Sequence, residues 1–149
     1  ILVGIDFSFK FLIGIYLFSV ILLFIFLLIG IFIGTIVNTR WKALVVSIAV
    51  WFFLIMIWPT ALIALLSIMP YRILTGLMKI ALVVNPAEFL RIFFISKWGS
   101  GSIFGQEYYS IVKLFESGTS WFLLIEYLLA FFVVFIFLSF LLLKRRQLR

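Results

Sequence analysis

"FLIGIYLFSVILLFIFLLIGIFIGTIV", residues 11–37, holds no charged side chain and no proline. At about 1.5 Å of rise per residue, such a helix crosses a roughly 30 Å hydrocarbon layer with room for some tilt. The run is too long for the apolar region of a secretory signal and lacks a small-residue cleavage pattern, so it reads as a retained transmembrane helix. Ahead of it, Asp6 and Lys10 lie four apart, a spacing that lets acid and base meet on one helical face near the membrane surface. Near its far end, Gly30 and Gly34 in "GIFIG" have the spacing that lets a second helix backbone approach closely.

The rest of the chain agrees on the solvent. Of its 149 residues 67% are apolar, 20% aromatic and only 11% charged, more apolar surface than a water-soluble domain of this size can bury. The sequence begins at Ile1 and runs almost at once into the first span, which leads to the expectation that it is the later part of a longer protein. With no Cys and no His, there are no disulfides, no thiolate or imidazole metal ligands and no Ser/His or Cys/His pairs. No metal or other cofactor is expected. The net charge of +7 sits at the ends of apolar spans, a membrane-protein pattern and not a nucleic-acid-binding one.

"NTRWK" places Arg40 and Lys42 around an interfacial Trp41, after which a second span runs over residues 43–69. Pro59 removes one backbone donor inside that span and is expected to kink it. A third span, residues 121–143, is opened by "SGTS" as turn and cap and closed by the basic tail "KRRQLR". If both basic ends face the cytoplasm, the first and third helices run inward and the second outward, so residues 70–120 begin and end on the outer side.

That middle segment contains Arg72, Lys79, Glu88, Arg91, Lys97, Glu107, Lys113 and Glu116. A crossing within it would bury several charges at about 2.5–3.5 kcal/mol for each central one, and an odd number of crossings would move the tail outside. It is therefore read as non-spanning. Arg72, Gly76 and Lys79 form a polar stripe on a helix over residues 73–84. Phe104, Tyr108, Ile111 and Phe115 repeat at helical spacing opposite Gln106, Glu107, Ser110 and Lys113. The expected fold is all-α and integral to the membrane: three transmembrane helices plus short interfacial or re-entrant amphipathic helices between the second and third.

Between those two polar-striped helices stands "NPAEFLR", residues 85–91. Asn85 is a good N-cap, Pro86 suits the first helical position, and Glu88 is placed to return to the cap's backbone amide. Arg91, three beyond Glu88, can pair with it. "NPAE" thus starts a second short helix at an abrupt bend, chiefly a structural role.

These residues also carry a resemblance. "NTRWKALVVSIAVWFFLIMIWPTALIALL", then "ALVVNPAEFLRIFF", then a last helix with a basic tail resembles the permease subunits of type-2 ABC transporters, in particular the NosY-like branch associated with copper-enzyme maturation. Asn85, Pro86, Glu88 and Arg91 match an Asn-Pro-x-[Asp/Glu]-x-x-Arg signature position by position. Arg40 and Trp51 are counterparts of a basic residue and a Trp that mark the penultimate helix. The resemblance spans residues 38–149. It implies six membrane helices per permease, of which this chain holds the last three, with non-spanning helices between the final two. One departure is an acid midway along the penultimate helix in related proteins, where this chain reads "MIWPTAL".

The chain has no GxxxxGK[ST] loop, so ATP hydrolysis is expected only in a partner ABC ATPase subunit, with Arg40 and Lys42 as candidate cytoplasmic-face contacts. A second permease copy, the lipid bilayer and an outer-face protein are the other expected partners, in the cytoplasmic (inner) membrane of a prokaryote. Glu126 is the only ionisable group well inside a span and so a candidate functional residue, with snorkelling to the nearby interface as its rival. The alternative function is a non-catalytic membrane anchor or assembly protein that binds a partner through its outer-face helices. An intramembrane enzyme is disfavoured because the spans offer Glu126 with only scattered Ser, Thr and Tyr.

Overall fold

The computed structural model describes residues 9–66, 68, 71–98 and 109–147; among these the chain is helix and turn, without strands. The first long helix, α1, is Phe9–Ile36. Two of its hydroxyls fold back on it, Ser19 Oγ donating to Ile15 O (2.9 Å) and Thr35 Oγ1 to Phe32 O (2.6 Å), so neither needs a partner in lipid.

The second long helix is made of three pieces: α2 (Arg40–Phe52), a π turn (Phe53–Ile57) and α3 (Trp58–Leu66). Thr39 caps its start, accepting from Lys42 N at 3.4 Å. The basic pair therefore lies within the first helical turn, where a start at residue 43 had been expected. Where Pro59 is expected to kink the span, the helix holds a π turn just before the proline.

Next come α4 (Tyr71–Val84), α5 (Pro86–Trp98) and α6 (Tyr109–Glu116), and then the third long helix, α7 (Ser120–Gln147). The turn before α7 is closed by Ser120 N and Oγ donating to Ser117 O and by Phe122 N donating to Thr119 O. Three stretches, Phe11–Ile36, Arg40–Leu65 and Ser120–Arg145, are long and apolar enough to cross a membrane. That makes this a multi-pass membrane protein by length and composition.

Aromatic contacts give the helix directions. Phe24 stacks on Phe132 (6.1 Å) and Phe32 meets Phe135 edge-on (5.2 Å), so α1 and α7 run parallel. The second long helix folds back along α1 after the short Val37–Thr39 turn. The Arg40/Lys42 turn and the basic end of α7 consequently share one end of the bundle. Spacing of charges alone leads to the same arrangement.

The core gathers around α5, whose Leu90, Ile92 and Phe93 are fully buried, and takes in Ile25, Ile29 and Ile33 of α1 and Leu124 of α7. α5 packs on α1, α4, α6 and the π turn. Phe93 sits edge-on to Phe94 (5.5 Å), Phe115 (5.5 Å) and Trp121 (5.2 Å), and Phe94 edge-on to Phe18 (5.5 Å). The long helices expose much of their apolar surface. Gly30 and Gly34 have nothing within 4 Å of where a Cβ would stand, so no other helix among the described residues uses that surface.

Candidate functional site

The α4–α5 hairpin bends at Asn85, a completely buried residue whose own backbone N–H and C=O are both hydrogen-bonded. Asn85 N still donates to Ala81 O (3.2 Å), closing α4. Pro86 has no N–H. Ala87 N (3.0 Å) and Glu88 N (3.3 Å) both donate to Asn85 Oδ1, and Phe89 N donates to Asn85 O (3.0 Å), opening α5. On the other side, Val83 O, whose normal helical donor Ala87 N is turned to the cap, accepts from Tyr127 Oη at 2.9 Å. Asparagine suits this position because its side chain carries acceptor and donor together.

The donor half reaches further than the cap. Asn85 Nδ2 donates to Leu54 O at 2.8 Å, in the π turn of the second long helix. The hairpin tip is thereby hydrogen-bonded to both the second and third long helices. Leu54 stands roughly 20 Å along the second helix from Arg40, and Tyr127 about 10 Å along α7 from Ser120, at 1.5 Å per residue. α4 thus runs inward to mid-bundle and α5 runs back out.

Glu88 is 2% exposed and Arg91 carries the salt bridge to it, Nη2 to Oε1 at 2.6 Å. The anticipated return of Glu88 to the cap amide is not used, because Asn85 N is already engaged by Ala81 O. Burial pushes the Glu88 carboxyl above its ordinary value, and the Arg91 guanidinium pulls it back by charge and by hydrogen bond. Arg91 Nε is buried without an acceptor among the described residues, as is Trp58 Nε1 beside the π turn.

The remaining candidates lie apart from this cluster. Glu126 is exposed on the outward face of α7, in a shallow groove with Phe122, Ile125, Leu129 and Ala130. Arg40 and Lys42 are exposed at the opposite end. There they occupy a helix N-terminus, where the macrodipole opposes cations by about 0.3–1 kcal/mol each. Gly76 and Lys79 of the polar stripe are exposed; the side chain of Arg72, the Asp6–Lys10 pair and residues 104–108 of the expected amphipathic helix lie outside the described residues. Within α6, Val112 and Phe115 face the core while Lys113 and Glu116 face out. Among the described residues no three His, Cys, Asp or Glu side chains gather as a metal cage.

Sequence reasoning missed the Asn85–Leu54 and Tyr127–Val83 links. Only Pro59 hinted at a carbonyl in need of a donor. Comparison with known protein families, with characterised proteins and with solved structures finds no match for this chain.

Proposed function

We propose that this chain is the C-terminal half of the membrane subunit of a type-2 ABC transport system of the NosY-like kind, working in the cytoplasmic membrane of a prokaryote. A separate ATPase subunit hydrolyses ATP, and the helices convert that event into transport or into mechanical work on a partner at the far face. The observation that carries this reading is the Asn-Pro-x-Glu-x-x-Arg segment at the tip of a non-spanning hairpin, hydrogen-bonded to the last two long helices. Such a hairpin links the far end of the bundle to its middle.

The basic pair at the other end supports an ATPase contact. Arg40 and Lys42 sit where they slightly destabilise their own helix, so their placement answers to something outside it, whether anionic lipid or an acidic partner surface. A second copy would cover part of the apolar faces left open on the long helices.

The test is reconstitution of the whole subunit in lipid vesicles with a cognate ABC ATPase subunit. Stimulation of ATP hydrolysis is expected, with Arg40→Glu/Lys42→Glu lowering it roughly tenfold while membrane insertion persists. An anchor or assembly protein would bind its partner without changing hydrolysis, and that outcome would replace the transport reading.

A further inference from the structure

We propose that the π turn at Phe53–Ile57 is one of two registers open to the middle of the second long helix, and that the Asn85 amide selects it. The position of the hairpin tip then sets the rotation of Trp58–Leu66 against Arg40–Phe52.

The argument begins with one carbonyl. Trp58 N donates to Phe53 O, five residues back. In an α register it would donate to Leu54 O. In the π register the next donor to Leu54 O would be residue 59, and Pro59 has none. The wide turn and the proline together strip Leu54 O of both possible ladder partners, and Asn85 Nδ2 donates to it at 2.8 Å.

In the α register the same carbonyl already has Trp58 N, so the Asn85 bond matters far more to the π register. Such differential interaction is what allows one element to shift another's equilibrium. The α register carries a cost of its own, since Pro59 has no N–H for Ile55 O, its α partner four residues back. Neither register satisfies every group without help from elsewhere. A π turn holds one residue more than an α turn, so conversion rotates the following helix by about 100°. Leu62, buried at 8% exposure, would take the direction now held by Ile63, exposed at 64%, and Ala61 would take the buried direction of Leu62.

The chain has no native cysteine, so nitroxide labels at Ala61→Cys or Leu62→Cys are the only ones present. The full chain is placed in phosphatidylcholine/phosphatidylglycerol vesicles, and collision of the label with dissolved oxygen reports exposure to lipid. With Asn85, position 61 is the more accessible. Asn85→Asp keeps the oxygen that caps Ala87 and Glu88 but removes the donor to Leu54. It shifts the register ratio by about tenfold, enough to invert the 62-to-61 accessibility ratio. In a Pro59→Ala background residue 59 supplies its own N–H, and Asn85→Asp leaves the ratio unchanged. Should Asn85→Asp fail to insert, Asn85→Gly, which is tolerated at a helix cap and has no side-chain donor for Leu54, is read in the same way. An unaltered ratio in the Pro59 chain, or an equal change in both backgrounds, overturns the proposal. No ATPase or substrate enters the measurement, so its outcome is independent of the permease reading.

Discussion

Asn85 and Glu88 occupy the tightest part of the molecule, and each is polar, so their tolerance there rests on complete pairing. The two partners of the ion pair are not equivalent. Arg91 is 42% exposed and keeps access to polar surroundings if Glu88 is removed, whereas Glu88, 2% exposed, has no second partner if Arg91 goes. Arg91→Ala is therefore expected to destabilise the folded chain by roughly 2–3 kcal/mol and Glu88→Gln by about 1 kcal/mol or less, in thermal unfolding of the detergent-solubilised chain. The loss in Arg91→Ala should also depend on pH. Burial already holds the Glu88 carboxyl above its ordinary value, and Arg91 is the group that pulls it down. Without Arg91 the folded state binds the proton more tightly than the unfolded one, so stability falls as pH rises from the ordinary carboxyl value through the raised one. Acidification should recover part of it. A deficit independent of pH would mean that the carboxyl is not the group left unpaired.

At the scale of elements, the α4–α5 hairpin is held by packing on its outer half and by hydrogen bonds at its tip. Phe93 contacts three aromatic rings from α5, α6 and α7, so Phe93→Ala should cost about 3–5 kcal/mol and expose the α6–α7 turn to protease. By contrast Lys97, whose Nζ donates to Ser117 O at 3.0 Å in an exposed setting, should be replaceable by Ala within about 0.5 kcal/mol. Tyr127→Phe removes the donor to Val83 O while leaving the ring stacked on Phe89 at 4.0 Å, and should cost about 1 kcal/mol in the same unfolding measurement. The helix start at Asn85 was legible in the sequence because cap and proline are adjacent, although the acid three residues on pairs with Arg91 and not with the cap amide. The Leu54 link was not, since its partner is 31 positions away and becomes available only when a π turn has diverted Trp58. Nothing in the uniformly apolar "FLIMI" of that turn distinguishes five-residue from four-residue spacing. The Gly30/Gly34 spacing points the other way: it is a local signal whose partner is not among the described helices.

For the whole molecule, the three span-length helices expose far more apolar surface than they bury against one another, and this makes lipid or neighbouring membrane helices part of the fold. Charge then decides orientation. The parallel course of α1 and α7, read from the Phe24–Phe132 and Phe32–Phe135 contacts, brings the Arg40/Lys42 turn and Lys144/Arg145 to one end, while the Ser117–Thr119 turn lies at the other. Basic clusters at a single end are what a cytoplasmic face selects. Single cysteines at Asn38 and Gln147 should accordingly react with an impermeant maleimide only when the cytoplasmic face is opened, and a cysteine at Gly118 should react in sealed cells. The expectation is sharp because a hairpin that turns back at mid-bundle adds no crossing, whereas a fourth span through residues 71–98 would reverse both 118 and 147 relative to 38. Labelling of residues 38 and 118 from the same side would show that crossing, and with it a path for α4 and α5 incompatible with the Asn85–Leu54 and Tyr127–Val83 hydrogen bonds.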